Sequence, residues 1–180
     1  IEAFVGGCWD AGLAIGHSVR TLDECVQEAA ADITVQTSVL EARLLAGSRK
    51  TYAEFTSAMR TQLDPQMFFK AKRLEQQERH SRHDDTAFSL EPNCKESPGG
   101  LRDLHIILWI ARGASLGRSW RELAAKEMCT ATEASQLERC ERFLRHMRIR
   151  LHYLARRRED RILFDHQEAL AQAFGIERSA

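Results

Sequence analysis

The stretch Glu91 to Leu104 reads Glu-Pro-Asn-Cys-Lys-Glu-Ser-Pro-Gly-Gly-Leu-Arg-Asp-Leu and gathers groups able to hold an anion. Two glycines, Gly99 and Gly100, stand directly before a run of helical character. A helix starting there would turn unpaired amides and the positive end of its dipole outward, a ready cradle for phosphate. Lys95 and Arg102 flank the turn and could neutralise a triphosphate, while Asp103 could hold Arg102 or a metal-bound water. The same Pro-Gly-Gly spacing is what a plain connecting turn uses, so spacing alone leaves both readings open. Two other groups invite chemistry. His80, His83, Asp84 and Asp85 are metal-ligand types, yet they lie in a charged stretch that reads as solvated surface. Arg139, Arg142, Arg145 and Arg148 recur at every third position, with Glu138 directly before the first and Glu141 before the second. Ion pairs along a helix explain that row with fewer assumptions than a nucleic-acid interface.

The elements that position these residues are mostly helical. Residues 1 to 12 read as the end of a helix, followed by an extended segment through Leu13, Ile15 and Val19 to Arg20, the best strand candidate in the chain. Thr21 and Glu24 have the spacing of a capping box, which predicts a helix from Leu22 to about Ala31. Asp32 is placed to cap a second helix, carried by Val35, Val39, Leu40 and Leu44 and stopped at Gly47. A further helix is expected over 48–63. Asp64-Pro65 opens a long polar one to about His83, with proline at its first position. From Asp84 to Gly100 periodicity fails and the breakers Pro92, Pro98, Gly99 and Gly100 accumulate, marking a boundary. Beyond it, residues 101 to 111 are apolar on nearly every face, as in a buried helix. Leu137, Cys140, Leu144, Met147, Leu151 and Leu154 step by three and four, the seam of a long helix over about 132–157. Asp165 is a candidate cap for a last helix ending at Gly175.

Composition sets the class. The 180 residues carry 26 Lys+Arg against 26 Asp+Glu, so net charge gives no sign of a nucleic-acid or membrane partner. The five cysteines are odd in number and lack C-x-x-C spacing, which suggests reduced thiols in a cytoplasmic protein rather than a disulfide or zinc framework. No apolar run approaches the roughly 18 residues that span a bilayer. The chain starts Ile-Glu-Ala-Phe, without methionine, and is expected to be an internal piece of a longer protein.

The string KESPGGLRDLHIILWIAR resembles the segment after the catalytic core of bacterial PII-protein uridylyltransferases. Two more strings, GHSVRTLDECVQEAAADITVQTSVLEARLLAG and RREDRILFDHQEALAQAFG, resemble that family in the same order, so the likeness runs through nearly the whole chain. A shorter Lys, Gly-Gly, Arg-Asp pattern recurs in glutamine synthetase adenylyltransferases, but the RREDRILFDHQEALA string sets this chain apart from them.

The resemblance implies a mainly α chain: residues 1–85 as the rear, C-terminal part of an α/β nucleotidyltransferase domain and residues 86–180 as a helical bundle domain associated with it. It implies an enzyme that moves UMP from UTP to a tyrosine of the PII nitrogen-signalling protein using Mg2+, with hydrolytic removal of UMP in the full protein. The paired metal-binding aspartates of such a core form a D-x-D pattern that this chain does not contain. No metal ligand is therefore assigned here, and the piece is expected to be inactive alone. Lys95, Gly99, Gly100, Arg102 and Asp103 become candidate nucleotide-binding residues, joined by Ser18 and Arg20, with His17 beside them. For the Ser18–Arg20 stretch a strand end and helix entry fits equally well. Asp32 is a candidate third carboxylate, with N-capping as its competing role. A different class of reading is a noncatalytic helical module that binds a partner through the arginine row.

Overall fold

A computed structural model of the chain describes residues 2–13 and 15–176. The chain forms two compact units, Ile1–Gln62 and Leu63–Ala180. Compactness thus divides it at residue 62, inside the segment 1–85 read as one domain.

In the first unit α1 spans Glu2–Asp10, α2 Leu22–Ala31, α3 Ile33–Leu40 and α4 Arg49–Gln62. The capping box is present: Glu24 N–H donates to Thr21 Oγ1 at 3.3 Å, and Thr21 N–H to the Glu24 carboxylate at 2.6 Å. Asp32 Oδ1 accepts from the amides of Thr34 at 2.6 Å and Val35 at 3.4 Å, starting α3. α2 packs against α3 and α4, and the Tyr52 hydroxyl donates to the Ala42 carbonyl at 2.8 Å, tying the connection to α4. Two expectations are corrected. α3 ends at Leu40 instead of running to Gly47, and residues 42 to 46 are irregular. The segment before Arg20 forms no strand; among the described residues there is none. A strand needs a ladder partner for its amides and carbonyls, and Val19, at 73% exposure, has no layer to pack on.

The second unit holds α5 Pro65–Ser81, α6 Leu101–Gly113, α7 Trp120–Ala125, α8 Ala131–Ala155 and α9 Phe164–Ala173. Asp64 caps α5 through the amides of Gln66 and Met67, with Pro65 at the first position. Thr130 and Glu133 form a second capping box at the head of α8, a signal the sequence carried and the reading above passed over. The core lies where α6, α7 and α8 meet: Ala111, Trp120, Leu123 and Ala134 are buried, with Leu104, Leu108, Leu116 and Leu137 against them. Trp120 donates its indole N–H to Glu141 at 2.8 Å, so this large ring is buried with its polar atom satisfied. α5 closes on α6, where a Cβ on Gly113 would stand 3.2 Å from the Phe68 ring.

Three details differ from expectation. α6 buries Leu101, Ile106, Trp109 and Ala111 but leaves Ile107 exposed, so it is covered on one side only. The α8 seam is graded: Leu151 is fully buried, Leu137, Leu144 and Met147 are half-buried, and Cys140 and Leu154 are exposed. Asp165 does not cap α9. Leu163 stands at that position, and the Phe164 amide donates instead to Glu91 of the distant loop at 2.9 Å.

Candidate functional site

The loop before α6 is folded by its own short side chains. Asn93 Oδ1 accepts from the amides of Lys95 at 3.0 Å and Glu96 at 2.8 Å, and Ser97 Oγ accepts from the Asn93 amide at 3.0 Å. Such Asx geometry reverses the chain without help from a sheet. The Gly-Gly pair completes the turn. Gly99 has φ +76°, a conformation that side chains resist, and a Cβ on Gly100 would lie 2.8 Å from the carbonyl oxygens of both Lys95 and Ser97. Only a hydrogen fits at Gly100.

The amides that follow are already used. Gly99 N–H donates to Asp103 Oδ2 at 2.7 Å, Gly100 to Ser97 O at 2.8 Å, Leu101 to Cys94 O at 3.0 Å, Arg102 to Lys95 O at 2.8 Å and Asp103 to Gly100 O at 3.1 Å. The head of α6 is therefore no open amide cradle, and an anion at this turn would have to be met by side chains.

Those side chains form a clasp of three carboxylates and their cations. Asp103, in the first turn of α6, accepts from Gln76 at 2.8 Å, from Arg79 and from the Gly99 amide, and His80 Nε2 lies 3.0 Å away. Gln76, Arg79 and His80 share one face of α5 by their three- and four-residue spacing. Arg79 is 4% exposed and also donates to the Glu96 carbonyl. The expected partner of Asp103, Arg102, reaches Glu96 Oε1 at 3.2 Å instead, beside Lys95 Nζ at 2.9 Å. Lys95 also stands 3.9 Å from Asp160, which Arg148 and His152 hold at 2.5 and 3.0 Å. The loop is stitched to the segment after α8 by the Cys94 amide on the Asp160 carbonyl at 2.8 Å, and Asn93 and Arg161 form an isolated antiparallel bridge.

Electrostatics follow from this packing. Burial would raise the carboxyl pKa of Asp103, but donors from Gln76, Arg79, Gly99 and His80 outweigh it and hold the group below the ordinary aspartate value. Glu96 is likewise held low by Lys95 and Arg102 against its burial, and Asp160 by Arg148 and His152. Burial, with the Asp160 charge nearby, pushes the Cys94 thiol up to about 11, which makes it an unreactive core thiol. Trp109 adds a ring on which Lys72 and Arg102 rest, 5.0 and 5.3 Å from its centroid.

The structure thus brings Lys95, Gly99, Gly100, Arg102 and Asp103 together in the second unit. Ser18, Arg20 and Asp32 belong to the first, where Arg20 pairs with Glu28 at 3.8 Å, the His17 ring meets Trp9 edge-on at 5.7 Å, and Asp32 serves as a cap. Sequence reasoning missed Gln76, Arg79, Glu96 and Asp160 as members of the clasp, and it assigned His80 to solvated surface although His80 is half-buried on Asp103. The polar face of α5 was the available signal. Among the described residues no group of three or more His, Cys, Asp or Glu is placed to hold a metal ion.

Fold and site together define a mainly α-helical module whose signature turn is locked by a half-buried ionic clasp. Residues 67–180 match the family model described as GlnD PII-uridylyltransferase, and the chain belongs to that family. Over all 180 residues it is 57% identical to a bifunctional uridylyltransferase/uridylyl-removing enzyme of Aromatoleum aromaticum. It is 53% identical to the enzyme so named from Cupriavidus pinatubonensis and 55% to that from Bordetella parapertussis. In each case the chain spans 21% of the relative's length. No solved structure matches.

Proposed function

We propose that this chain is the segment of a bifunctional uridylyltransferase/uridylyl-removing enzyme that joins the rear of an α/β nucleotidyltransferase domain, residues 1–85, to its helical partner domain, residues 86–180. The complete enzyme transfers UMP from UTP to a tyrosine of a PII-type protein in the cytoplasm and removes it by hydrolysis. The likeness of the whole chain to enzymes of that name carries the reading.

Lys95 and Arg102 are this chain's contribution to the nucleotide. Both side chains are about a quarter exposed, and both meet on one carboxylate, Glu96. A triphosphate carries more charge than a single carboxylate and draws both cations toward itself, stabilising charge that builds on the phosphoryl group. Gly99, Gly100 and Asp103 serve by fixing the turn that aims these cations. Ser18 and Arg20 are proposed as further nucleotide contacts and Asp32 as a carboxylate near them. Magnesium, when bound, supplies Lewis-acid stabilisation of the transferred group. The clasp carboxylates do not suit it, since Glu96, Asp103 and Asp160 are each engaged by cations, so the metal is assigned to residues outside this chain.

The test uses the complete enzyme carrying Lys95→Ala or Arg102→Ala. Loss of one charge-assisted contact, about 1.5–3 kcal/mol, should lower transfer efficiency roughly ten- to a hundredfold, with weakened UTP affinity and a change in melting temperature of only a few degrees. Normal UTP affinity together with a large fall in melting temperature would reduce both residues to members of the clasp.

A further inference from the structure

Glu96 turns its two carboxylate oxygens toward different cations. Oε1 meets both Lys95 Nζ, at 2.9 Å, and the Arg102 guanidinium, at 3.2 Å. Oε2 faces inward to Arg79 Nε at 3.8 Å, beyond hydrogen-bond reach. That N–H has no hydrogen-bond partner among the described residues, although Arg79 is 4% exposed, and a buried donor left without an acceptor is destabilising. The other two nitrogens of the same guanidinium are engaged, one by the Glu96 carbonyl and one by Asp103.

The backbone of Glu96 is fixed while its side chain is not. Its amide donates to Asn93 Oδ1 at 2.8 Å and its carbonyl accepts from Arg79, so the carboxylate swings on a held pivot. A shift of about 1 Å would bring Oε2 within hydrogen-bond distance of Arg79 Nε. Glu96 is also the group that restrains both cations. Asp160 stands further from Lys95, at 3.9 Å, and is already met by Arg148 and His152, while Arg102 rests over the Trp109 ring at 5.3 Å. Burial opposes charge on Glu96, yet the donors from Lys95 and Arg102 hold its carboxyl below the ordinary glutamate value, so it is ionised at neutral pH.

We infer that Glu96 is a positioning residue with two seats: it holds Lys95 and Arg102 while the site is empty, and turns onto the unpaired Arg79 N–H when a nucleoside triphosphate draws those cations to itself. This rests on the nucleotide role proposed above for Lys95 and Arg102. Without a second seat the triphosphate would arrive beside a carboxylate stripped of its partners, and like charges at that range repel. At Arg79 the displaced charge gains a donor that otherwise has none. As the pyrophosphate left by UMP transfer departs, Glu96 retakes both cations, so it competes with polyphosphate groups and is indifferent to the base.

The test is equilibrium binding of UTP, and separately of pyrophosphate, to the complete enzyme carrying Glu96→Gln, with melting temperature measured beside it. The amide keeps the shape of the side chain and brings no charge to compete for the cations. Both ligands should therefore bind about tenfold more tightly, the equivalent of one charge-assisted contact no longer contested, while melting temperature falls by a few degrees. A purely structural Glu96 predicts the opposite sign, since a loosened turn binds less. Arg79→Lys removes the Nε donor; it should weaken UTP binding severalfold when Glu96 is present and much less when combined with Glu96→Gln. Equal weakening in both backgrounds overturns the second seat. Unchanged or weaker UTP binding in Glu96→Gln, with Lys95→Ala impaired, overturns the inference and leaves the nucleotide reading standing. UTP binding indifferent to Glu96→Gln, Lys95→Ala and Arg102→Ala alike overturns both. Should Arg79→Lys fail to fold, the sign of the Glu96→Gln effect on UTP and pyrophosphate decides alone.

Discussion

Asp103 shows how a residue that looks catalytic in sequence can be occupied in structure. Both its oxygens are engaged by Gln76, Arg79, His80 and the Gly99 amide, so its first effect is to bind α5 to the turn. Asp103→Ala strands the buried Arg79 guanidinium. We expect a loss of roughly 3 kcal/mol, the low end for breaking a buried pair because Asp103 keeps some contact with water, measured by urea unfolding of the complete chain. Gly100→Ala should be comparably harmful, since two backbone oxygens occupy the new methyl's place; Gly99→Ala should cost only about 1 kcal/mol, for its positive φ alone. Equal effects at the two glycines would contradict the close approach seen at Gly100. The cations and glycines of this turn were legible in sequence because residue type and local spacing announce them. Their partners were not. Which groups meet Asp103 depends on the rotation of α5 against α6, and the approach of Lys95 to Asp160 on a segment beyond α8; no local pattern encodes either.

At the scale of elements, capping signals were the most dependable guide. Thr21 with Glu24, Asp32 and Asp64 each begin the helix their spacing predicts, because a cap is a contact within four residues. Asp165 failed for a nonlocal reason, Glu91 reaching α9 from 73 residues away. Glu91→Ala should therefore fray the first turn of α9 by about 1 kcal/mol, seen as faster amide exchange at Phe164 and its neighbours, while Asp165→Ala leaves those amides nearly unchanged. The α8 seam offers a matched contrast. Leu151→Ala should cost about 2–5 kcal/mol and Cys140→Ala under about 0.5, because only the first is enclosed. The strand expected before Arg20 failed for lack of a partner: alternation reports a half-buried face, and this chain supplies no neighbouring strand among its described residues.

For the whole molecule, the three clasp carboxylates give the second unit a definite response to acid. Asp103, Glu96 and Asp160 all have folded pKa values below their ordinary ones. Their contribution is complete above the unfolded-state values, about 3.9 for Asp and 4.3 for Glu, and is lost as pH falls through the depressed folded values. Stability followed by denaturant titration should be flat from neutrality to about pH 5 and fall below about pH 4. Glu96→Gln combined with Asp160→Asn should lower the plateau and shrink that fall; an acid response that both substitutions leave untouched would place its source elsewhere.

The reach of the clasp also bears on how the chain is made. The loop at Leu90 and Glu91 is held by Gln167 and Phe164, 77 and 73 residues further on. On a ribosome, α5 and α6 emerge and can form their own turns, but the signature turn between them lacks its second anchor until residues 160 to 167 have cleared the exit tunnel. Closing so long a loop is slow beside helix formation. Throughout that interval the nascent chain carries a docked helix pair with an unfastened turn, so synthesis order itself delays assembly of the proposed nucleotide contacts until residues 160 to 167 are available.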